Sequence, residues 1–240
     1  NGIYGSYSTM AVSIYNLPST LVTAISLPLV PMLTSAIESS DRIKEKSVIF
    51  SSFKLTALIS FPAGLGIMVF SKDILSLLFQ SQMDEVEYTA PLLSLLGISV
   101  FLSAMITVTN AVIQAYKQVS KPIISMICGV LVKLLLAFVL IGIPNINIYG
   151  APISTFFATV VIVAINLYFI VKSTGKIGSI YKMFLKPFLA AVFSVAIGLA
   201  IKILLGNFVN TKIMIIPIIL IVAIVYLLAI VRANVIDKEL

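Results

Sequence analysis

"GVLVKLLLAFVLIG", residues 129–142, is an apolar run that carries a single charge, Lys133. Runs of this kind recur along the chain. Each extends to roughly 20 residues, the length that an α-helix needs to cross about 30 Å of hydrocarbon. Transmembrane β-barrels instead alternate apolar and polar residues in segments of about ten, and these runs do not alternate. The pattern therefore predicts an all-α fold, a polytopic membrane helix bundle.

The composition supports the same class of protein. Hydrophobic residues make up 60% of the chain and charged residues only 10%, whereas soluble domains carry about 25% charged residues. The net charge of +7 comes from basic residues spread over short loops, so we expect no nucleic-acid partner. The chain has one cysteine, Cys128, and no histidine. This excludes a disulfide framework, and we expect no metal site built from Cys and His ligands. An enzyme would need a nucleophile–base or metal constellation, so we expect no enzyme, no cofactor and no metal.

Seven transmembrane spans are predicted, with the basic residues unevenly divided between the two sides. The spans cover residues 7–36, 47–70, 90–115, 122–142, 150–171, 183–205 and 211–231. One side carries eleven basic residues, Arg42, Lys44, Lys46, Lys117, Lys121, Lys172, Lys176, Lys182, Lys186, Arg232 and Lys238. The other side carries three, Lys72, Lys202 and Lys212. Cytoplasmic loops are enriched in Lys and Arg, which places the C-terminus in the cytoplasm and the 71–89 loop outside, its first half a short interfacial helix.

Prolines mark the first two spans, at Pro18, Pro28, Pro31 and Pro62. A proline inside a helix removes a backbone hydrogen bond and bends the helix. Two interpretations stay open, ordinary kinked packing or hinges for alternating access.

Two stretches resemble one known family. They are "IYGSYSTMAVSIYNLPSTLVTAISLPLVPMLTSAIESSD" (3–41) and "NAVIQAYKQVSKPIISMICGVLVKLLLAFVLIGIPNINIYGAPIST" (110–155). They are similar to polysaccharide-biosynthesis flippases, most closely to the stage V sporulation protein B branch of the multidrug/oligosaccharidyl-lipid/polysaccharide exporter superfamily. Lipid II flippases of cell-wall synthesis belong to the same superfamily. Those of the Gram-negative type carry a cavity arginine near the place where Ser13 stands here, so no arginine role is transferred.

The resemblance implies a parent of fourteen helices, built from two six-helix halves and a terminal pair. Seven spans that start outside would match helices eight to fourteen. Residues 1–171 would then be the core of the second half, with five spans and without the first helix of that half. Residues 172–240 would be the C-terminal helix pair and cytoplasmic tail. We therefore expect a C-terminal fragment whose partner is the N-terminal half of the same protein.

Lys133 is the first candidate for a functional residue, because it lies near the centre of the fourth span. A charge at that depth costs about 2.5–3.5 kcal/mol on insertion scales and should face a cavity, a partner or water. It would contact an anionic lipid-linked substrate or a coupling ion, pair with a carboxylate of the other half, or snorkel to the headgroups.

The other candidates are one lysine and three amides. Lys54 lies about two turns into the second span, where it would snorkel or line the inner mouth of a cavity. Asn16, Asn110 and Gln114 are expected to form interhelical hydrogen bonds or to contact substrate, and Asn166 is a further amide of this kind. Asn16 is the strongest of them, because the family counterpart of its span lines the central portal. The predicted substrate-binding set is Lys133, Asn16, Lys54, Asn110 and Gln114.

The function implied by the resemblance is a flippase. It would move lipid-linked oligosaccharide or polysaccharide precursors across the plasma membrane by alternating access, with membrane lipid and a polyprenyl-linked sugar as its partners. Two alternatives stay open, a cation-coupled multidrug exporter of the same superfamily and a structural fragment that does not transport.

Overall fold

The computed structural model describes residues 5–175, 178, 180–205 and 211–232. Within them, seven helices are long and apolar enough to cross a membrane, which confirms the predicted helix bundle. They are α1 (Tyr7–Glu38, with a π-helical first turn, Tyr7–Ala11), α2 (Arg42–Leu78), α3 (Met83–Ala115), α4 (Ser120–Ile141), α5 (Gly150–Thr174), α6 (Ile180–Leu205) and α7 (Thr211–Arg232). Lys176 and Lys238, which contribute to the predicted charge bias, lie outside the described residues.

Two helices extend well beyond their apolar segments. The second span was predicted over 47–70, but α2 begins at Arg42 and ends at Leu78, and α3 begins at Met83 rather than at residue 90. Asp41 caps α2, since its carboxylate accepts a hydrogen bond from the backbone N–H of Lys44 at 3.0 Å. Hydropathy marks only the part of a helix that lies in hydrocarbon, whereas caps and packing decide where the helix begins and ends. The predicted 71–89 loop is therefore mostly helix.

The backbone of α2 departs from helical geometry at Phe70 (φ −106°, ψ 20°). The first half of the 71–89 segment, predicted as a separate interfacial helix, is thus the end of α2, which continues beyond the break at Phe70. Ser94 of α3 donates a hydrogen bond to the carbonyl of Met68 at 2.6 Å, next to the break. The Phe70 ring is 2% exposed and packs with apolar side chains of α6 and α7. In contrast, α1 stays helical across its three prolines.

Helix α3 is the centre of the bundle. It packs against α1, α2 and α5, while α4 packs chiefly on α5. Helices α6 and α7 pack against each other and against α2. The arrangement leaves α4 the least covered helix, with only Pro122, Ser125 and Gly129 buried.

Helices α2 and α3 cross at a pair of glycines. A Cβ added to Gly64 would lie 2.8 Å from the carbonyl oxygen of Gly97. A Cβ added to Gly97 would lie 2.8 Å from the carbonyl oxygen of Gly64 and from the backbone nitrogen of Met68. Small residues let membrane helices approach this closely, so the two positions set the distance between the central helices.

We expect Gly97→Ala to destabilise the protein by about 1–3 kcal/mol, because the added methyl group meets backbone that cannot move aside. Gly66→Ala is the matched control, since a Cβ at Gly66 meets no atom within 4 Å. Thermal unfolding of both variants in the same detergent measures the difference. Equal melting temperatures for the two variants would contradict this view of the crossing.

Candidate functional site

A polar stripe runs along one face of α1. Thr9, Ser13, Asn16, Thr20 and Thr23 are all exposed, and their spacing of four and three residues places them on one side of the helix. The threonine hydroxyls donate to backbone carbonyls three or four residues earlier in the chain at 2.7–2.9 Å. The Asn16 amide has no hydrogen-bond partner within the part of the chain that the structure describes. It is therefore available to a ligand or to another polar surface.

A second polar stripe lies on α3, formed by Ser103, Thr107, Asn110 and Gln114 with the same helical spacing. The side chains of Ser103, Thr107 and Asn110 are half-buried, and that of Gln114 is exposed. Helix α3 packs against both α1 and α5, and this stripe faces the space between them. Asn110, for instance, accepts a hydrogen bond from Asn166 of α5 at 2.8 Å.

Ser19, which lies next to the α1 stripe, donates a hydrogen bond to Ser103 of the α3 stripe at 2.9 Å. Asn16 and Thr23 lie one helical turn before and after Ser19, on the same side of α1. We call this surface the polar groove. It consists of Asn16, Ser19, Thr23, Ser103, Thr107, Asn110 and Gln114. Three of the five predicted site residues, Asn16, Asn110 and Gln114, thus lie on one surface at membrane depth.

Asn166 fixes the α5 side of this groove. It is fully buried and donates both amide hydrogens, to Asn110 and to the hydroxyl of Thr109 at 2.9 Å. An amide with both hydrogens engaged between two helices is a structural contact in hydrocarbon. Asn166 therefore has a structural role in packing α5 against α3. It occupies the side-chain oxygen of Asn110 as an acceptor.

Lys133 lies on α4, apart from the groove residues. Its side chain is exposed, and among the described residues it has no ionic partner. Helix α4 is joined to the groove through α5, which packs against both α4 and α3. The lysine thus presents an uncompensated positive charge on the least covered helix of the bundle.

Lys54 is placed on the other side of the bundle. It is 7% exposed, and its ammonium lies 5.8 Å from the centroid of the Phe50 ring. On the same face of α2, Phe61 stacks on Phe101 of α3 with the ring centroids 4.2 Å apart. Residue 101 is two positions from Ser103, so it lies on nearly the opposite side of α3. Lys54 is therefore not part of the polar groove.

A polar network that sequence reasoning missed lies where the basic loops meet the helix ends. Glu45 is 1% exposed, and both its oxygens are 3.1 Å from one guanidinium nitrogen of Arg42. It also accepts a hydrogen bond from the Tyr116 hydroxyl, which lies 2.6 Å from the hydroxyl of Thr174. The network joins α2, α3 and α5. Its one signal in the sequence is Asp41, whose capping role would have placed Glu45 inside a helix.

The Tyr116 hydroxyl is held in its protonated form. Burial raises its pKa to about 12, and the hydrogen bond to Glu45 acts in the same direction. A pKa above the ordinary tyrosine value means that this contribution to stability is present at neutral pH and is lost as the pH rises through about 10–12.

The chain is similar to known proteins over most of its length. The profile of the family described as "Lipid II flippase MurJ" matches residues 4–224. The lipid II flippase MurJ of Bacillus subtilis (strain 168) is 25% identical over 198 residues, which cover 81% of this chain and 36% of that protein. The chain therefore spans about a third of the length of this relative.

The similarity corrects one expectation. The quoted motifs indicated the stage V sporulation protein B branch, whereas the matching profile is that of the lipid II flippases, which belong to the same superfamily. The motifs are turns and prolines at helix ends, features that related transporters share. Ser13, in place of a cavity arginine, is a single position and does not outweigh a match over nearly the whole chain.

The two amides Asn166 and Asn16 should behave differently when truncated. Asn166→Ala leaves Asn110 and Thr109 without their donor, and we expect it to lower the free energy of unfolding by about 1–2 kcal/mol. Asn16→Ala removes an exposed amide without a partner, so its stability should stay within about 0.5 kcal/mol of the parent. Thermal unfolding in detergent measures both. A larger loss for Asn16→Ala than for Asn166→Ala would show that the assignment of roles is wrong.

Proposed function

Because the chain belongs to the lipid II flippase family, we propose that it forms part of a multi-pass plasma-membrane transporter that moves a lipid-linked cell-wall precursor across the bilayer. The observation that carries this proposal is the polar groove. Hydroxyls and amides line one surface of helices that are long enough to cross a membrane. Such a surface is unfavourable against hydrocarbon and suits a polar headgroup in transit.

The groove supplies the contacts that a sugar headgroup requires. Amide side chains both donate and accept hydrogen bonds, and hydroxyls do the same. The exposed Asn16 and Gln114 offer unused donors and acceptors, while Ser19 and Ser103 are already paired and hold α1 against α3. In this proposal Asn16 contacts the headgroup in the first third of α1, and Gln114 contacts it near the basic end of α3.

Lys133 supplies the positive charge that an anionic substrate requires. A lipid-linked precursor carries a pyrophosphate, and an unpaired ammonium at membrane depth attracts such a group strongly because the surrounding dielectric constant is low. In this proposal Lys133 faces the substrate path in the intact transporter. Lys54, which is buried away from the groove, has no contact with substrate.

A partner surface completes the site. Helix α4 is largely uncovered, and the polar stripe of α1 faces away from the bundle core. The N-terminal half of the same transporter would cover both surfaces and enclose the groove. Movement of that half against this one would open the groove to each side of the membrane in turn, which is alternating access.

The proposed division of the chain follows the packing. Residues 1–171 carry the groove, and residues 172–240 carry the terminal helix pair, which reaches the core through α2. In this proposal the basic loops and the C-terminus are cytoplasmic, so the groove opens to the cytoplasm at Gln114.

Single cysteines test this orientation. In a Cys128→Ser background we expect Ser81→Cys, between α2 and α3, to react with a membrane-impermeant maleimide in intact cells. Ser40→Cys, between α1 and α2, should react only after the cells are permeabilised, since its loop is cytoplasmic. Both positions are exposed, so access to the reagent decides the result. Labelling of Ser40→Cys but not of Ser81→Cys in intact cells would reverse the orientation.

Lys133→Met tests the transport proposal in the intact transporter. Methionine keeps the length and removes the charge, so we expect translocation of a fluorescent lipid II in reconstituted vesicles to fall about tenfold or more. That figure corresponds to a charged hydrogen bond of about 1.5–3 kcal/mol. Lys133→Arg should keep part of the activity, because it preserves the charge while changing the donor geometry.

The control for this variant is Lys72→Met, which removes an exposed lysine from a surface pair with Glu87 at 3.2 Å. Such pairs contribute little, and transport should be unchanged. Lost transport together with lost thermal stability in Lys133→Met would indicate a buried ion pair with the other half. Transport equal to that of the parent would remove Lys133 from the site.

A further inference from the structure

A pocket of about 450 Å³ opens at the basic end of the bundle, lined by residues of α1, α2, α4 and α5 and of the turns that follow α1 and α3. Three of its lining residues are cationic, Arg42, Lys121 and Lys172, and one is anionic, Glu45. Its volume lies within the range of roughly 300–1,000 Å³ that is typical of small-molecule sites. The pocket is therefore large enough to hold a charged group rather than a single ion.

The acidic residues around this pocket are already engaged. Both oxygens of Glu45 contact Arg42, and one of them accepts from Tyr116. Asp41 caps α2, and Glu38 pairs with Lys117 at 3.2 Å. Glu45 and Glu38 are thus paired with cations, while Asp41 keeps its charge but does not line the pocket.

Lys121 and Lys172 are the uncompensated cations. The ammonium of Lys121 donates to the side-chain oxygen of Gln118 at 2.5 Å and lies 5.0 Å from the centroid of the Phe169 ring, so it is held in place by neutral groups. Lys172 is exposed and has no ionic partner among the residues described by the structure. The positive charge of the pocket therefore exceeds its negative charge.

Arg42 is oriented toward the same space. Only one of its two terminal guanidinium nitrogens contacts Glu45, which leaves further donors unused, because a guanidinium carries five N–H groups. Helix α4 begins at Ser120, so the positive end of its dipole lies beside Lys121. The backbone N–H of Lys121 already donates to the carbonyl of Gln118 at 3.1 Å, so the cationic side chains are the donors that the pocket offers. Hydroxyls of Ser40 and Ser173 complete the lining.

We propose that this pocket binds a phosphoryl group, carried either by a membrane-lipid headgroup or by a soluble phosphate compound. Arginine and lysine side chains such as those of Arg42, Lys121 and Lys172 recognise phosphate in proteins through charge-assisted hydrogen bonds. The buried Glu45 holds the guanidinium and does not repel the anion, because its charge is matched by Arg42. This site is independent of the transport proposal and of Lys133.

The test compares two double variants that remove the same charge from the same end of the bundle. The double variant Lys121→Gln, Lys172→Gln removes the two lysine side chains of the pocket that have no ionic partner. Lys44→Gln with Lys46→Gln removes two exposed lysines of α2 that do not line the pocket. Arg42 is left intact, because its removal would leave Glu45 buried without a partner and destabilise the fold.

Binding of phosphatidic acid is measured in phosphatidylcholine nanodiscs by native mass spectrometry, and binding of inorganic pyrophosphate is measured by the shift in melting temperature. We expect the pocket variant to bind about tenfold or more weakly, and the control variant to bind within about twofold of the parent. Both variants should melt at the parent temperature without ligand.

The two ligands distinguish the source of the phosphoryl group. Pocket-dependent binding of phosphatidic acid that pyrophosphate does not displace assigns the site to a lipid headgroup. Pocket-dependent binding of pyrophosphate without retention of phosphatidic acid assigns it to a soluble phosphate compound. Equal losses in the two double variants would mean diffuse attraction to a basic surface, and unchanged binding in the pocket variant would exclude the pocket. Either of these results overturns the proposal.

Discussion

Hydrocarbon offers no hydrogen bonds, and this constraint shapes nearly every polar contact in the bundle. A polar group at membrane depth must find a partner within the protein or lie against a polar surface. The hydroxyls of Thr20 and Thr23 donate to carbonyls of their own helix. The hydroxyl of Ser94 donates to the Met68 carbonyl beside the break in α2, and the buried Asn166 donates to α3. Within the described residues the side-chain oxygens of Thr89, Ser99 and Asn166 are exceptions, because they are buried without a hydrogen-bond partner. Asn16 and Lys133 also lack a partner there, but both are exposed.

The same constraint separates the middle of the bundle from its ends. The central crossing of α2 and α3 depends on close backbone packing at Gly64 and Gly97. Ion pairs lie toward the helix ends, as with Lys202 of α6 and Asp73 of α2, whose charged atoms are 2.5 Å apart. The network of Glu45 occupies the opposite end of α2. Charged groups near water lose less of their hydration and can link helices through ion pairs. The middle of the bundle is held instead by close packing of small residues.

Sequence reasoning was correct about the helix count because hydropathy reports directly on burial in hydrocarbon. It was less accurate for the ends of α2 and α3, since charged residues such as Arg42 and Asp84 continue a helix into water without any apolar signal. For the site, helical spacing would have shown that Asn110 and Gln114 share a face. It could not have shown that Asn16 lies along the same groove, because that depends on the contact between Ser19 and Ser103, 84 residues apart.

The sequence motifs and hydropathy determined the class of fold, the number of spans and the superfamily but not the branch within it, because chain length, hydropathy and motif order are properties of the chain as written. Only the tertiary structure decided which polar residues meet. Lys54 and Asn110 are both polar residues inside predicted spans, yet one is buried beside Phe50 and the other lies in the polar groove. The pocket beside Glu45 is formed by four helices and the turns that follow α1 and α3. Which faces of separate helices come together is set by close packing between them, and no single segment carries that information.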